Sequence, residues 1–254
     1  MADIVRKPPA QSAITYIPPD TIHGQPWWVQ PVLTVGVLSL FGIYSIWAAI
    51  QGKGFADPYL SPFYSPKLPF GGMAAPFLIL WIPLGFRATC YYYRKAYYRS
   101  FFWDPPACVR PEPRGSSYGG ERVFPWILNN FHRYFLYLSI LVLIFLWYDA
   151  ITSFVDGNGH FMIGLGSIFM VVNVTLISLY IGSCHSLRHL VGGGNPCFSC
   201  VRGGAAKYTM WKGVSVLNPR HPLFAWLSLI SLFVVDVYIR LLIAGVLTDP
   251  RLVL

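Results

Sequence analysis

Apolar residues fall into five long blocks, at roughly 27–50, 70–93, 124–148, 161–183 and 223–247, separated by Pro, Gly and charge. A helix needs about 20 apolar residues to cross the hydrocarbon of a bilayer, and each block reaches that length. Many carry Trp or Tyr near an end, where amphipathic rings favour the membrane interface. The pattern predicts an all-α integral membrane bundle of five transmembrane helices forming one domain over residues 1–254. The segment from Phe101 to Gly120 contains Asp104-Pro105-Pro106 and Pro111-Glu112-Pro113 and reads as a surface loop. The Gly-rich and Pro-rich stretch from Gly192 to Pro222 reads the same way.

Composition agrees with a lipid-solvated chain. Of 254 residues, 55% are hydrophobic, 17% aromatic and only 11% charged, which excludes an ordinary soluble enzyme and intrinsic disorder. The net charge of +9 is mostly a matter of topology. With the N-terminus inside, the inner segments hold Arg6, Lys7, Arg94, Lys95, Arg99, Arg110, Arg114, Arg122, Arg188, Arg202, Lys207, Lys212 and Arg220. The outer segments hold only Lys53, Lys67 and Arg251. The positive-inside rule then places the N-terminus in the cytoplasm and the C-terminus outside. The basic residues form no nucleic-acid recognition motif, so no nucleic acid partner is expected. Five cysteines make no even framework, and no cleavable leader precedes the first block, so a disulfide scaffold is not expected.

Charges inside a span each call for a reason. Arg87 lies toward the inner end of the second block, and His132 and Arg133 lie about two turns into the third. Asn129 precedes these two by three and four positions, which places it on their helix face. Together they suggest a polar pocket for a ligand headgroup; interfacial snorkelling and an interhelical hydrogen bond are the plainer alternative. Asp236 and Arg240, four apart on the fifth block, read first as a structural ion pair and second as coupling residues of a small transporter. The absence of internal repeats and the odd span count argue against a transporter. Gly42, Gly85, Gly164 and Gly166 suit close helix packing.

The most specific signal is Cys184-His185-Ser186-Leu187-Arg188-His189, followed by a glycine turn and Cys197-Phe198-Ser199-Cys200. His185 and His189 are one helical turn apart, and Cys197 and Cys200 have the spacing of a metal knuckle. The four suggest a His2Cys2 metal set, with Cys184 an alternative ligand. Zinc as one tetrahedral ion and a Rieske-type [2Fe-2S] centre both fit, the latter with H-x3-H and C-x2-C in place of the interleaved order. Haem b, held by His132 with His185 or His189, is a third reading. A structural zinc clip in a non-redox membrane protein is the rival from another class.

Pro26-Trp27-Trp28, the stretch Asn129-Asn130-Phe131-His132-Arg133-Tyr134 and the Cys184 to Cys200 cluster resemble the membrane anchor subunit of actinobacterial, mycobacterial-type succinate dehydrogenase. That resemblance covers the whole chain. It implies a plasma-membrane anchor that docks a flavoprotein and an iron-sulfur subunit on its cytoplasmic side and passes electrons to menaquinone or ubiquinone. Such a chain is part of an enzyme and holds no catalytic residue of its own. Many members of the wider family carry haem b; the added cysteines favour an iron-sulfur centre here. A quinone headgroup is expected at His132, Arg133, Asn129 or Arg87, and self-association of the whole complex is compatible with this reading.

Overall fold

The computed structural model describes residues 21–22, 25–67, 74–101, 103, 126–193, 195 and 197–253. It is mostly helical. Helix α1 spans Val29–Ile50, α2 Ala74–Thr89, α3 Tyr91–Phe101, α4 His132–Thr152, α5 Leu165–Gly182, α6 His185–Arg188, α7 Gly204–Leu217 and α8 His221–Ile243. Among the described residues, four helical runs are long and apolar enough to cross a membrane: α1, α4, α5 and the continuous run Gly204–Ile243 that joins α7 to α8. The apolar part of α2, Pro76–Thr89, is shorter.

The elements depart from the hydropathy blocks where side chains compete with the helix. The second block breaks at Cys90, so α2 and α3 are separate helices, and residues 70–73 lie outside the described ones. The third block begins as a 3-10 segment, Trp126–Phe131, and the α-helix starts only at His132. Asn129 and Asn130 bond readily to nearby backbone outside a helix, which favours such a late start. His132 therefore stands at the mouth of α4, not two turns inside it. The inner segment expected as a loop from Gly192 to Pro222 holds α7 instead. Trp211, Val214, Ser215 and Leu217 are its partly buried positions, with Asn218 just beyond its end, and most of them share one helix face. Low hydropathy hid this amphipathic pattern. Most of the other expected loop, 104–120, lies outside the described residues.

Helix α5 packs between α4 and α8, α2 packs on α4, and α3 lies against α1. Gly85 of α2 allows one of these approaches, since a β-carbon there would sit 2.2 Å from the Phe135 ring of α4. Gly164 and Gly166 make room for the Tyr59 side chain, whereas Gly42 faces open space. The ends away from α2's C-terminus are fastened by polar contacts. Asp236, fully buried, accepts from Arg240 Nε at 2.6 Å and from the hydroxyls of Tyr44 and Ser61. Arg240 also donates to the Ala48 carbonyl at 2.9 Å and lies over the Trp47 ring, so the pair is a structural lock between α1 and α8. Asp249 accepts from Tyr59 and Tyr238, each at 2.5 Å, and from the Gly166 amide at 3.1 Å. Burial raises the Tyr59 phenol above its ordinary range, which keeps it a proton donor to Asp249. A short strand, Arg251–Val253, pairs antiparallel with Met162–Gly164 and ties the C-terminal segment to the start of α5.

Gly85→Ala is expected to destabilise the α2–α4 contact by about 1–3 kcal/mol, the usual cost of overpacking. Thermal melting of the purified assembly measures it. Adding Phe135→Leu should restore much of the loss, and a parental melting point for Gly85→Ala alone would contradict the contact.

Candidate functional site

The alternation of helix directions brings four termini to one level: the C-terminal ends of α2 and α5 and the N-terminal ends of α4 and α8. Each terminus presents one metal-ligating side chain. Cys90 follows α2, His132 opens α4, Cys184 follows α5 and His221 opens α8. All four are buried.

Their hydrogen bonds form a crossed pattern. His132 places Nδ1 2.9 Å from Thr89 Oγ1 and Nε2 3.2 Å from Cys184 Sγ. His221 places Nδ1 2.8 Å from Ser183 Oγ and Nε2 3.3 Å from Cys90 Sγ. Thr89 directly precedes Cys90, and Ser183 directly precedes Cys184. Each imidazole thus takes the hydroxyl of one Thr/Ser-Cys pair and the thiol of the other. The rings are also matched: Phe86 stacks on His132 at 4.6 Å between centroids, and Tyr180 on His221 at 4.9 Å. Phe86-Arg87-Ala88-Thr89-Cys90 and Tyr180-Ile181-Gly182-Ser183-Cys184 are therefore two copies of one aromatic-x-x-hydroxyl-cysteine device.

The hydroxyl protons fix the tautomers. Thr89 Oγ1 donates to the Gly85 carbonyl at 2.7 Å, and Ser183 Oγ donates to the Tyr180 carbonyl at 3.0 Å. With those protons committed, each hydroxyl can only accept from its histidine, so Nδ1 carries the hydrogen and Nε2 presents a lone pair to sulfur. Metal-ligating histidines are oriented in this way, with one ring nitrogen donating outward and the other free to bind. Burial pushes the Cys184 thiol up to about 11, so without a metal it is a neutral S–H facing that lone pair. It also N-caps α6, accepting from the Ser186 amide at 3.3 Å.

The H-x3-H and C-x2-C residues are not gathered into one set. Cys197 and Cys200 are joined in a disulfide, contrary to their expected role as metal ligands. His189 Nδ1 accepts from Arg133 Nη2 at 2.9 Å, and His185 is exposed. The Phe198 ring explains the separation. It lies on Gly192 and packs against Tyr208 and Trp211, drawing the cysteine knuckle onto α7 and away from the histidines. The haem pairing of His132 with His185 or His189 is likewise not assembled, because His132 Nε2 faces Cys184. Among the described residues, no three His, Cys, Asp or Glu side chains converge as a group for one ion.

Beside this layer a cleft of about 290 Å³ is lined by Asn130, His132, Arg133, Tyr134 and Ser186. His132 and Arg133 both line it, while the side chain of Asn129 lies outside the described ones. Arg87 points elsewhere. It donates to Tyr93 Oη at 2.7 Å, to the Ala225 carbonyl at 3.1 Å and to Ser228 Oγ at 2.9 Å. His221 and Cys90 escaped the hydropathy reading because one fell in an expected loop and the other inside an expected span. The repeated five-residue device was the signal that could have found Cys90; His221 lies outside it.

The chain has counterparts among known proteins. A family model described as actinobacterial succinate dehydrogenase subunit SdhC matches residues 29–245. A chain of the Mycobacterium smegmatis Sdh1 complex in the apo form is similar at 43% identity and a TM-score of 0.78, covering 92% of this chain and 94% of that one. No curated protein matches.

Non-reducing peptide mapping after alkylation should recover Cys197 and Cys200 in a linked peptide and Cys90 and Cys184 as separate thiols. Alkylation of Cys197 and Cys200 without prior reduction would contradict the pairing.

Proposed function

The chain belongs to the actinobacterial succinate dehydrogenase SdhC family, and we propose that it relays electrons to a membrane quinone through a Rieske-type [2Fe-2S] centre held by Cys90, Cys184, His132 and His221. It is a multi-pass plasma-membrane anchor that associates with the flavoprotein and iron-sulfur subunits, and it acts in catalysis only as part of that complex. The crossed pairing of the two aromatic-x-x-hydroxyl-cysteine segments carries the proposal.

The donor set fits a binuclear centre better than its rivals. One tetrahedral zinc needs its ligands around one point, and among the described residues no three His, Cys, Asp or Glu side chains converge as such a group. Haem would use the imidazoles and leave two buried cysteines without a role. A Rieske-type [2Fe-2S] centre would take both cysteines at one iron and both histidines at the other, and histidine ligation raises its potential to about −150 to +300 mV, a range suited to electron transfer toward quinones. The chain's part is to keep both Nε2 lone pairs aimed inward through Thr89 and Ser183, and to exclude water with Phe86 and Tyr180. The cleft at Arg133 is the proposed quinone site: its cation and the polar groups of Asn130, Tyr134 and Ser186 suit the carbonyl oxygens of a quinone head. His132 belongs to both the cleft wall and the His/Cys layer, so the two sites share a side chain.

Five crossings, with the N-terminus inside and the C-terminus outside and one domain over residues 1–254, complete the proposal. The fifth crossing is α2. It packs along α4 and delivers Cys90 to the start of α8, as α5 delivers Cys184 to the start of α4. The basic residues flanking this layer support a position on the cytoplasmic side, where the soluble subunits dock.

The test is iron content and quinone-linked against dye-linked succinate oxidation in the intact complex. Cys90→Ser with Cys184→Ser should lose about two iron atoms per anchor and reduce quinone turnover more than about tenfold, with dye-linked oxidation preserved. Cys197→Ser with Cys200→Ser should retain both. Arg133→Ala should keep the iron and raise the quinone KM about tenfold or more, the loss of a charge-assisted hydrogen bond of about 1.5–3 kcal/mol. Full iron and full quinone turnover in the Cys90 and Cys184 variant would overturn the assignment.

A further inference from the structure

The two copies of the device differ at one position in a way that packing does not require. Where one arm has Arg87, the other has Ile181, which is buried beside the same layer. A charge inside a span is costly, and the arm with isoleucine makes the same aromatic stack, hydroxyl bond and sulfur contact without one. Arg87 does not reach outward to the interface either. Its guanidinium donates to Ala225 and Ser228, one and two turns along α8 from His221 toward the membrane interior. Those partners are uncharged, as is Tyr93, and among the described residues no carboxylate pairs with it. The guanidinium also lies 4.6 Å from the centre of the Tyr180 ring, the ring that stacks on His221, and it sits one helical turn before Cys90. The result is an unneutralised positive charge fixed beside one arm of the layer.

We infer that Arg87 is a tuning residue that raises the reduction potential of the centre held by Cys90, Cys184, His132 and His221; this rests on the functional reading above. Reduction adds one negative charge to such a centre. A cation held nearby in a low-dielectric surrounding stabilises that charge relative to the oxidised form. The architecture does not need the cation for helix packing, because Tyr93 Oη donates to the Ala225 carbonyl at 2.6 Å independently of Arg87. Arg87 does not line the cleft at Arg133 but donates to Tyr93, Ala225 and Ser228, so its effect passes through the centre and not through quinone binding.

Redox titration of the intact complex, followed by low-temperature EPR with iron and sulfide assayed on each sample, tests the inference. Arg87→Ile copies the other arm, Ser228→Asp neutralises the guanidinium in place, and Arg87→Lys keeps the charge. Both neutralising variants should retain the centre and lower its midpoint potential by a tenfold change in the reduced-to-oxidised equilibrium, about 59 mV for one electron. Arg87→Lys should recover most of the parental value. An unchanged midpoint in either neutralising variant overturns the inference. Loss of the centre from both also overturns it, since Arg87 would then act on assembly. A parental complex without a Rieske-type signal would instead remove the functional reading on which the inference stands.

Discussion

Two imidazoles, each with its Nε2 lone pair held against a sulfur, impose the constraint from which this end of the bundle follows. Thr89 and Ser183 spend their own protons on backbone carbonyls, so each must accept from a histidine, and each histidine must then face the opposite cysteine. That requirement sets where helices begin and end. α2 has to stop at Thr89 and α5 at Gly182 for Cys90 and Cys184 to turn inward, while α4 and α8 have to start at their histidines. Phe86 and Tyr180, one turn earlier on each incoming helix, close the layer with stacked rings.

The arrangement is a local two-fold in a chain without a global repeat. α2 with α4 and α5 with α8 form two helix pairs that run in the same sense, and each pair contributes a cysteine and a histidine to a layer they share. Exchange of partners between the pairs couples them, so that neither half completes its hydrogen bonding alone. The opposite ends are joined by different means. There Asp236 and Asp249 gather hydroxyls, an amide and Arg240, leaving polar atoms paired and the helices locked. One end of the bundle is therefore built for fastening, and the other keeps lone pairs, thiols and an open cleft.

Much of this architecture was legible in the residues. Long apolar blocks located most helices, and the spacing of Asp236 and Arg240 revealed an ion pair. Hydropathy failed where structure was decided by individual side chains. It could not see that the helix stops before Cys90, because Thr89 and Cys90 are compatible with an apolar run. It hid His221 behind a presumed loop, because α7 is amphipathic and not strongly hydrophobic. The C-x2-C spacing pointed to a metal, but Phe198 carries those cysteines onto α7, a tertiary effect with no signature in spacing. The two-copy device escaped notice because only its cysteine is identical between copies, while Phe and Tyr, and Thr and Ser, substitute for each other in role.

The central claim is that Cys90, Cys184, His132 and His221 surround iron. An anomalous difference map of the crystallised complex, recorded on either side of the iron absorption edge, addresses it most directly. The account predicts an iron peak within the anchor, bounded by the two sulfurs and the two Nε2 atoms and separate from the clusters of the soluble subunits. An anchor without iron in that layer, or with its peak at Cys197 and Cys200, would contradict it.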